Sequence, residues 1–160
     1  MSERIYVLID MDDTSFDFSG AKDKSLLECP ELPYPQSQYR FYADLEPIDG
    51  AIEAIRTLMG DARFKVDFCT APSVKNLLSY TEKAECIQKA FGADALSSLF
   101  IVPDKSRVSC DYLIDDLDEG RGQELMKEKL IHFGSEKFPN WESVMIFLYS
   151  KAKELGDDIN

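Results

Sequence analysis

The sequence is poor in the residues from which zinc sites and disulfide frameworks are built. Its 160 residues include one histidine and four cysteines, and no two cysteines form a Cys-x-x-Cys pair. These counts argue against a zinc site, which needs several nitrogen and sulfur ligands, and against a disulfide-stabilised fold. Cys69 and Cys110 lie in apolar, strand-like surroundings, which predicts buried thiols. His132 lies in a strand pattern, which predicts a structural role.

Positive charge is also scarce. The chain carries 18 basic and 30 acidic residues, which gives a formal net charge of −12. Such an excess of negative charge disfavours binding to a nucleic acid polymer or to an anionic membrane surface. A small anionic ligand would therefore need a local positive feature, such as a metal ion, a few lysines or a helix N-terminus.

Long hydrophobic runs are missing as well. The apolar run nearest the N-terminus covers residues 5–9, which is too short for the core of a signal peptide or for a membrane span. Together with the small number of cysteines, this short run predicts a protein of the reducing cytoplasm.

What the sequence does contain is an alternation of short apolar runs and helical patterns. The apolar runs predict buried strands at residues 5–9, 64–69, 99–102, 112–114 and 130–133. Helical spacing and helix boundary signals predict helices at residues 48–59, about 72–91, 119–125 and 142–155. This alternation predicts a three-layer α/β fold with a doubly wound parallel sheet, in a single domain of residues 1–160.

One stretch interrupts the alternation. Residues 15–47 have no clean period and contain four prolines together with several aromatic side chains. Such a stretch is typical of a loop or a small cap rather than of a sheet element. We therefore expect a reduced cap insertion at about residues 15–45.

Polar side chains follow several of the predicted strands at the point where each strand ends. In chain order they are Asp10, Asp12, Asp13, Thr70, Lys105, Asp115 and Asp116. Because the carboxyl ends of parallel strands share one edge of a sheet, we expect these side chains to lie close together. Several carboxylates at one edge repel each other unless a cation lies among them. Asp10, Asp12 and Asp115 would make an oxygen-rich site that suits Mg²⁺.

These residue types are suited to the hydrolysis of a phosphate monoester. Asp10 could attack phosphorus and form an aspartyl-phosphate, once a metal ion and Lys105 neutralise the repulsion between the two anions. Asp12 could protonate the leaving alcohol and then activate the water that hydrolyses the intermediate. The hydroxyl of Thr70 would hold a phosphate oxygen, together with free backbone N–H groups in the following turn.

The same residues resemble the motifs of the haloacid dehalogenase-like superfamily of phosphohydrolases. Asp10-Met-Asp12-Asp-Thr14 is similar to its D-x-D-x-[TV] first motif. Thr70 is similar to the hydroxyl of the second motif, Lys105 to the lysine of the third, and Asp115-Asp116 to the acidic fourth. The order and spacing of all four motifs agree. The resemblance implies a Rossmann-like core with a cap inserted after the first strand.

Within that superfamily, about residues 4–146 resemble the cytosolic 5′(3′)-deoxyribonucleotidase family. The patterns that carry this resemblance include Asp10-Met-Asp-Asp-Thr-Ser-Phe-Asp-Phe18, Cys69-Thr-Ala-Pro72, Glu82-Lys83, Asp111-Tyr-Leu-Ile-Asp-Asp116 and Asn140-Trp141-Glu142. The resemblance implies that Asp10 is the nucleophile and a metal ligand, and that Asp12 binds the metal through its backbone carbonyl. It also implies that Asp115 is a metal ligand, with Asp116 beside it as a ligand or a support.

The resemblance further implies residues that bind the substrate. Lys105, Lys83 and the backbone N–H of Ala71 are expected near the phosphate, and Phe18, with Phe41 or Tyr42, against the nucleobase. The chain departs from the family pattern at Asp13, where relatives usually have glycine, and at Ala71, where relatives carry a hydroxyl. The predicted cap is also shorter than the helical cap of the family, which leaves base recognition open and could admit other phosphates.

The sequence therefore predicts a magnesium-dependent phosphomonoesterase that acts on the 5′-phosphate of (deoxy)ribonucleoside monophosphates. A phosphatase of another small phosphorylated metabolite is the alternative that the short cap favours. A binding module that keeps the fold without turnover is a third hypothesis, and the presence of both Asp10 and Asp12 argues against it. A polynucleotide phosphatase would need a basic track that a charge of −12 does not indicate. Base preference and a possible homodimer stay open.

Overall fold

A parallel sheet forms the centre of the structure. In residues 4–157, which the computed structural model describes, five strands lie in the order β3-β2-β1-β4-β5. They are β1 (Ile5–Ile9), β2 (Phe64–Thr70), β3 (Leu99–Ile101), β4 (Tyr112–Asp115) and β5 (Leu130–His132). Every neighbouring pair runs parallel, which confirms the predicted α/β fold class. The ends of the predicted domain, residues 1–3 and 158–160, lie outside the described residues.

Helices and short 3-10 segments connect the strands. In the described residues the α-helices are α1 (Phe18–Glu28), α2 (Ala51–Gly60), α3 (Ser79–Phe91) and α4 (Trp141–Asp157). The 3-10 segments are Pro35–Ser37, Ala93–Ser98, Lys105–Arg107, Gln123–Leu125 and Lys127–Lys129. Within residues 4–157, none of the helices combines the length and the apolar character that a membrane crossing requires.

The two faces of the sheet are covered differently. Ile9 of β1 lies in the larger hydrophobic cluster, to which α2, α3 and α4 all contribute buried side chains. Leu8 lies on the opposite face, in a smaller cluster completed by Cys69, Leu113 and Met126, the last of which joins two 3-10 segments. Because both faces are covered at β1, this strand is a continuous apolar run, as predicted.

Two of the predicted helices are wrong in extent. The helix predicted from about residue 72 begins only at Ser79. The Asn76 side-chain oxygen accepts a hydrogen bond from the Leu78 backbone N–H, which holds the preceding residues in a turn. The helix predicted at 119–125 is a 3-10 segment limited to Gln123–Leu125. Gly120 and Gly122 precede it with left-handed φ angles of 94° and 91°, which a continuous α-helix does not allow.

The stretch predicted as an irregular insertion contains one regular helix, α1. Each residue of α1 keeps part of its surface exposed, so the helix does not show the apolar stripe by which helices are recognised in a sequence. Its start is set by Asp17, whose side chain accepts a hydrogen bond from the Gly20 backbone N–H at 2.8 Å.

The predictions for cysteine and histidine agree with the structure. All four cysteines of the sequence lie within residues 4–157 and are free thiols, and Cys69 and Cys110 are buried. Burial raises the pKa of the Cys69 thiol to about 12. His132 lies in β5, and its Nε2 is 2.9 Å from the backbone oxygen of Asp116, which is consistent with a structural role.

Trp141, the first residue of α4, connects this helix to the loop after β1. Its side chain is 2% exposed and lies against Phe133, with 5.6 Å between the ring centroids. Its Nε1 donates a hydrogen bond to the backbone oxygen of Thr14 at 2.9 Å. Thr14 is itself fully buried, so this carbonyl depends on the indole for its partner.

Replacing Trp141 with phenylalanine should lower the free energy of unfolding by about 1–3 kcal/mol, because the buried Thr14 carbonyl loses its donor. Denaturant unfolding followed by circular dichroism measures the loss. Ile146→Ala is the matched control in the same helix: Ile146 is 67% exposed, and its truncation should cost less than about 0.5 kcal/mol. Equal losses in the two variants would contradict the structural role assigned to Trp141.

Candidate active site

The loops at the carboxyl ends of the strands meet around a cavity of about 330 Å³. The predicted site residues that line it are Asp10, Asp12, Phe18, Ala71, Lys105 and Asp116. Thr70, Lys83 and Asp115 are buried directly behind this lining, where they contact its residues. Residues predicted from five separate parts of the sequence are therefore brought together.

Lys105 lies at the centre of the acidic residues. Its side chain is 2% exposed, and its Nζ contacts Oδ1 of Asp10 at 2.7 Å and a carboxylate oxygen of Asp115. Burial by itself lowers the pKa of a lysine, but the two adjacent carboxylates outweigh this effect and hold the pKa of Lys105 above its usual value. Lys105 therefore stays charged and offsets part of the negative charge of the site.

Asp10, Asp115 and Asp116 form an acidic cluster. Each offers a carboxylate oxygen, and these oxygens all lie within 4.8 Å of one another. Burial, followed by repulsion from Asp10, raises the pKa of Asp115 to about 6 and that of Asp116 to about 7. Three oxygens at this spacing could hold a divalent metal ion, which would relieve the repulsion.

Hydrogen bonds from the loop that follows β4 hold Asp115 in place. Gln123 Nε2 lies 3.1 Å from both carboxylate oxygens, and the Leu117 backbone N–H donates to Oδ1 at 3.0 Å. Gln123 was not predicted from the sequence. Its only signal there is a position shortly after an acidic strand end, which many surface residues share.

Gly122 allows this loop to approach the turn that carries Lys105. The Lys105 backbone N–H donates to the backbone oxygen of Arg121 at 2.7 Å. Gly122 has a φ of 91°, and a Cβ at this position would lie 2.3 Å from Oδ1 of Asp104. Any residue other than glycine would therefore push the two loops apart.

Lys83 of α3 lies against Asp12 and Thr70. Its Nζ donates to Asp12 Oδ2 at 2.7 Å, to Thr70 Oγ1 at 2.8 Å and to the backbone oxygen of Ala71 at 2.8 Å. These contacts use all three N–H donors of the ammonium group. The family resemblance implied a phosphate contact for Lys83, whereas its donors here serve Asp12 and the end of β2.

The two carboxyl oxygens of Asp12 have different surroundings. Oδ2 is bound by Lys83, and Oδ1 is buried and has no hydrogen-bond partner among residues 4–157. Burial raises the pKa of Asp12, although the adjacent Lys83 acts in the opposite direction. A raised pKa favours the protonated form of the carboxyl group, which is the form that a general acid needs.

Asp13 adds a further carboxylate to the cavity lining. Its backbone is left-handed, with a φ of 53°, a conformation that glycine adopts freely and aspartate tolerates better than most residues. Its side-chain oxygens accept hydrogen bonds from Ser19 N at 2.7 Å and from Ser19 Oγ at 2.5 Å. These bonds fix the Asp13 side chain against the first turn of α1.

Phe18, Phe41 and Tyr42 form an aromatic wall beside the cavity. The rings of Phe18 and Tyr42 are stacked, with 6.0 Å between centroids and 23° between planes. Phe41 lies edge-on to both, at 5.6 and 5.2 Å. Phe18 and Tyr42 line the cavity, but Phe41 does not. Further lining residues that the sequence analysis did not identify include Tyr34, Gln36, Ser73 and Arg121.

Fold and site agree with the class of protein that the sequence motifs indicate. The parallel sheet presents Asp10 directly after β1, and Lys105 lies between Asp10 and Asp115, which agrees with the arrangement that the resemblance to haloacid dehalogenase-like hydrolases implied. A solved structure from Burkholderia xenovorans LB400, described as haloacid dehalogenase-like, is 15% identical over 80% of both chains. Its TM-score of 0.43 is too low to add support.

The sequence comparisons narrow this class to a family. The family described as 5′ nucleotidase, deoxy (Pyrimidine), cytosolic type C protein matches residues 32–153. The human cytosolic-type 5′(3′)-deoxyribonucleotidase is 28% identical over 174 residues, which cover 91% of this chain and 81% of the human protein. The mouse mitochondrial 5′(3′)-deoxyribonucleotidase is 27% identical over 173 residues, which cover 90% of this chain and 73% of the mouse protein. The chain belongs to this nucleotidase family, whose members are phosphoric monoester hydrolases.

A divalent metal ion should raise the melting temperature more at about pH 8 than at about pH 5.5, because binding requires ionised carboxylates. The pKa values of Asp115 and Asp116 are raised to about 6 and about 7. Protonation of this pair therefore stabilises the metal-free protein at low pH, and that contribution is lost as the pH rises through this range. Thermal unfolding with and without the metal, at constant ionic strength, measures the difference.

The control is Asp116→Asn, which should lose most of the metal-dependent rise at about pH 8. A rise of the same size at both pH values would contradict binding to this acidic cluster.

Proposed function

We propose that this protein is a magnesium-dependent phosphatase that removes the 5′-phosphate of (deoxy)ribonucleoside monophosphates through an aspartyl-phosphate on Asp10. The observation that carries the proposal is the contact of the buried Lys105 ammonium group with Asp10 at 2.7 Å, beside an acidic cluster at one end of the cavity. This contact orients the carboxylate and reduces its repulsion of a phosphate dianion.

The donor set suits magnesium. Asp10, Asp115 and Asp116 offer carboxylate oxygens, which are hard ligands, and the cluster includes neither a histidine nor a cysteine. These three residues would hold the ion, with the backbone carbonyl of Asp12 as a further ligand by analogy with the family. When bound, the ion would supply positive charge to the phosphate oxygens.

The first half-reaction would transfer the phosphoryl group of the substrate to Asp10. A carboxylate oxygen of Asp10 attacks phosphorus, the bond from phosphorus to the 5′ oxygen breaks, and Asp12 gives its proton to that oxygen. Lys105 stays charged beside the reacting carboxylate. Thr70 Oγ1 accepts a hydrogen bond from Lys83, so its own hydroxyl hydrogen is available to a phosphate oxygen.

The second half-reaction would restore Asp10. Asp12, now ionised, takes a proton from a water molecule, whose oxygen attacks phosphorus. The bond between phosphorus and the Asp10 oxygen breaks, and inorganic phosphate leaves. Asp12 ends the cycle protonated, as it began. The partly buried Asp12 carboxyl and its raised pKa support this double role.

A nucleoside is the leaving group that the cavity favours. Its volume of about 330 Å³ is within the range of small-ligand sites, and the partly exposed ring of Phe18, which stacks on the buried Tyr42, offers an apolar surface to a base. The relatives named 5′(3′)-deoxyribonucleotidase support the same substrate class. We propose further that residues 15–45 act as a reduced cap within one domain, that the protein works in the cytoplasm, and that a homodimer is its possible assembly.

A phosphatase of another small phosphorylated metabolite is the second candidate. It is favoured by α1, which keeps every residue at least partly exposed and so encloses the site less than a packed cap would.

Phosphate release in the presence of Mg²⁺ distinguishes the candidates. The panel comprises deoxy- and ribonucleoside 5′- and 3′-monophosphates, sugar phosphates and a chromogenic aryl phosphate. We expect the highest kcat/KM for the nucleoside 5′-monophosphates and a loss of more than about 10³-fold in kcat for Asp10→Asn. Asp94→Asn, an exposed aspartate away from the cavity, should keep full activity.

Turnover of sugar or aryl phosphates alone would keep the mechanism and contradict the nucleotide assignment. Absence of turnover on the whole panel, in folded protein that binds the metal, would favour a non-catalytic binding module.

A further inference from the structure

Two adjacent charged residues of α3 are buried and face different parts of the site. Lys83 is 1% exposed and contacts Asp12 and Thr70, as described above. Glu82 is 4% exposed and contacts the segment of residues 40–42, which carries two of the three rings of the aromatic wall. The role of Glu82 is not explained by the proposed chemistry.

The carboxylate of Glu82 binds two backbone N–H groups that are two residues apart. Oε1 accepts from Arg40 N at 2.6 Å, and Oε2 accepts from Tyr42 N at 3.1 Å. Both acceptor oxygens are therefore used, and the residue between the two donors is Phe41. Arg40 adopts a left-handed φ of 67°, which is unfavourable for a non-glycine residue and needs support from its surroundings.

The position of the segment determines where the aromatic rings lie. Tyr42 is 3% exposed, its ring stacks on Phe18, and the Nζ of Lys83 lies 4.9 Å from its centroid. Phe41 lies edge-on to both other rings. Release of the two backbone N–H groups from Glu82 would therefore displace the aromatic wall relative to the cavity.

The ion pairs around this segment are more exposed than Glu82. Arg40 pairs with Glu85 of α3 at 3.0 Å and with Asp44 of its own loop at 2.8 Å, and Lys89 of α3 pairs with the same Asp44 at 2.9 Å. Their side chains are between 35% and 54% exposed. Exposed ion pairs contribute little to a defined geometry, whereas a buried carboxylate that binds two backbone donors defines it closely.

We propose that Glu82 is a positioning residue that sets the aromatic wall and thereby determines the selectivity of the enzyme for substrates with a nucleobase. The proposal rests on the proposed function, since the wall is taken to contact the base. Glu82 itself touches neither the substrate nor the reacting atoms. It acts on binding of the leaving group, whereas its neighbour Lys83 supports the residues that perform the chemistry.

The test compares Glu82→Gln with Glu85→Gln on two substrates. One substrate is a deoxyribonucleoside 5′-monophosphate, and the other is glycerol phosphate, which has no ring to place on the wall. A glutamine at position 82 keeps one acceptor oxygen but turns an N–H₂ group toward a backbone donor, so one of the two bonds is lost. Glu85 lies on the same helix and contacts the same segment only through the half-buried side chain of Arg40, not through backbone N–H groups.

For Glu82→Gln we expect KM for the nucleotide to rise about tenfold with kcat little changed, because one buried donor is left without its partner. The kcat/KM for glycerol phosphate should change less than about twofold, so the preference for the nucleotide should fall about tenfold. Glu85→Gln should leave this preference unchanged. Amide hydrogen exchange at Arg40 and Tyr42 should be faster in Glu82→Gln and unchanged in Glu85→Gln.

Several results would overturn the role of Glu82. A folded Glu82→Gln variant that keeps the nucleotide preference, or that loses activity equally on both substrates, contradicts it. If Glu82→Gln does not fold, Glu82→Asp provides the same comparison with a carboxylate that is one methylene shorter. Wild-type enzyme that shows no preference for the nucleotide over glycerol phosphate contradicts the proposed function itself. Rapid amide exchange at Arg40 and Tyr42 in wild-type protein contradicts the contact on which the proposal is built.

Discussion

The contact of the buried Lys105 ammonium group with Asp10 and Asp115 is the interaction on which the rest of the site depends. Asp10 and Asp115 come from the neighbouring strands β1 and β4, whose register pairs Ile9 with Ile114, so the sheet itself brings the two carboxylates together. Like charges this close repel strongly in a partly buried setting. Lys105 contacts both and lowers that repulsion. The turn that carries Lys105 depends on the close approach of the loop at Gly122, which only glycine allows.

The helix α3 positions two further parts of the site. Lys83 connects Asp12 to the end of β2, and Glu82 connects the aromatic wall to the same helix. Adjacent residues on one rigid helix therefore hold both the group proposed for acid–base chemistry and the surface proposed for the base. Buried charges of this kind are costly unless their partners are in place, so both contacts restrict the site to one arrangement.

Much of the fold follows from local sequence patterns. The central strand β1 is buried on both faces and appears as an apolar run, and α2 and α4 carry a regular apolar spacing. The helix α1 could not be predicted in this way, because none of its faces is fully buried. The late start of α3 and the 3-10 segment after β4 depend on a side-chain turn at Asn76 and on left-handed glycines, which compete with helix formation at single positions.

The site was predictable where chemistry and strand ends coincide. Asp10, Thr70, Lys105 and Asp115 each follow a recognisable strand, so their convergence at one sheet edge could be expected. The partners of Lys83, Glu82 and Gln123 could not be predicted, because each contact joins residues that are distant in sequence or that share no motif. Such partners are determined by packing between elements, and local patterns carry little information on that packing.

The most direct test of the account is to trap the covalent intermediate. Enzyme that is turning over a nucleoside 5′-monophosphate with Mg²⁺ is quenched in acid, reduced with borohydride and digested, and the peptides are analysed by mass spectrometry. An aspartyl-phosphate on Asp10 would be reduced to homoserine at position 10, and this product should be absent from enzyme quenched without substrate. Reduction at a different carboxylate, or at none in an active enzyme, would contradict the role given to Asp10 and its contact with Lys105.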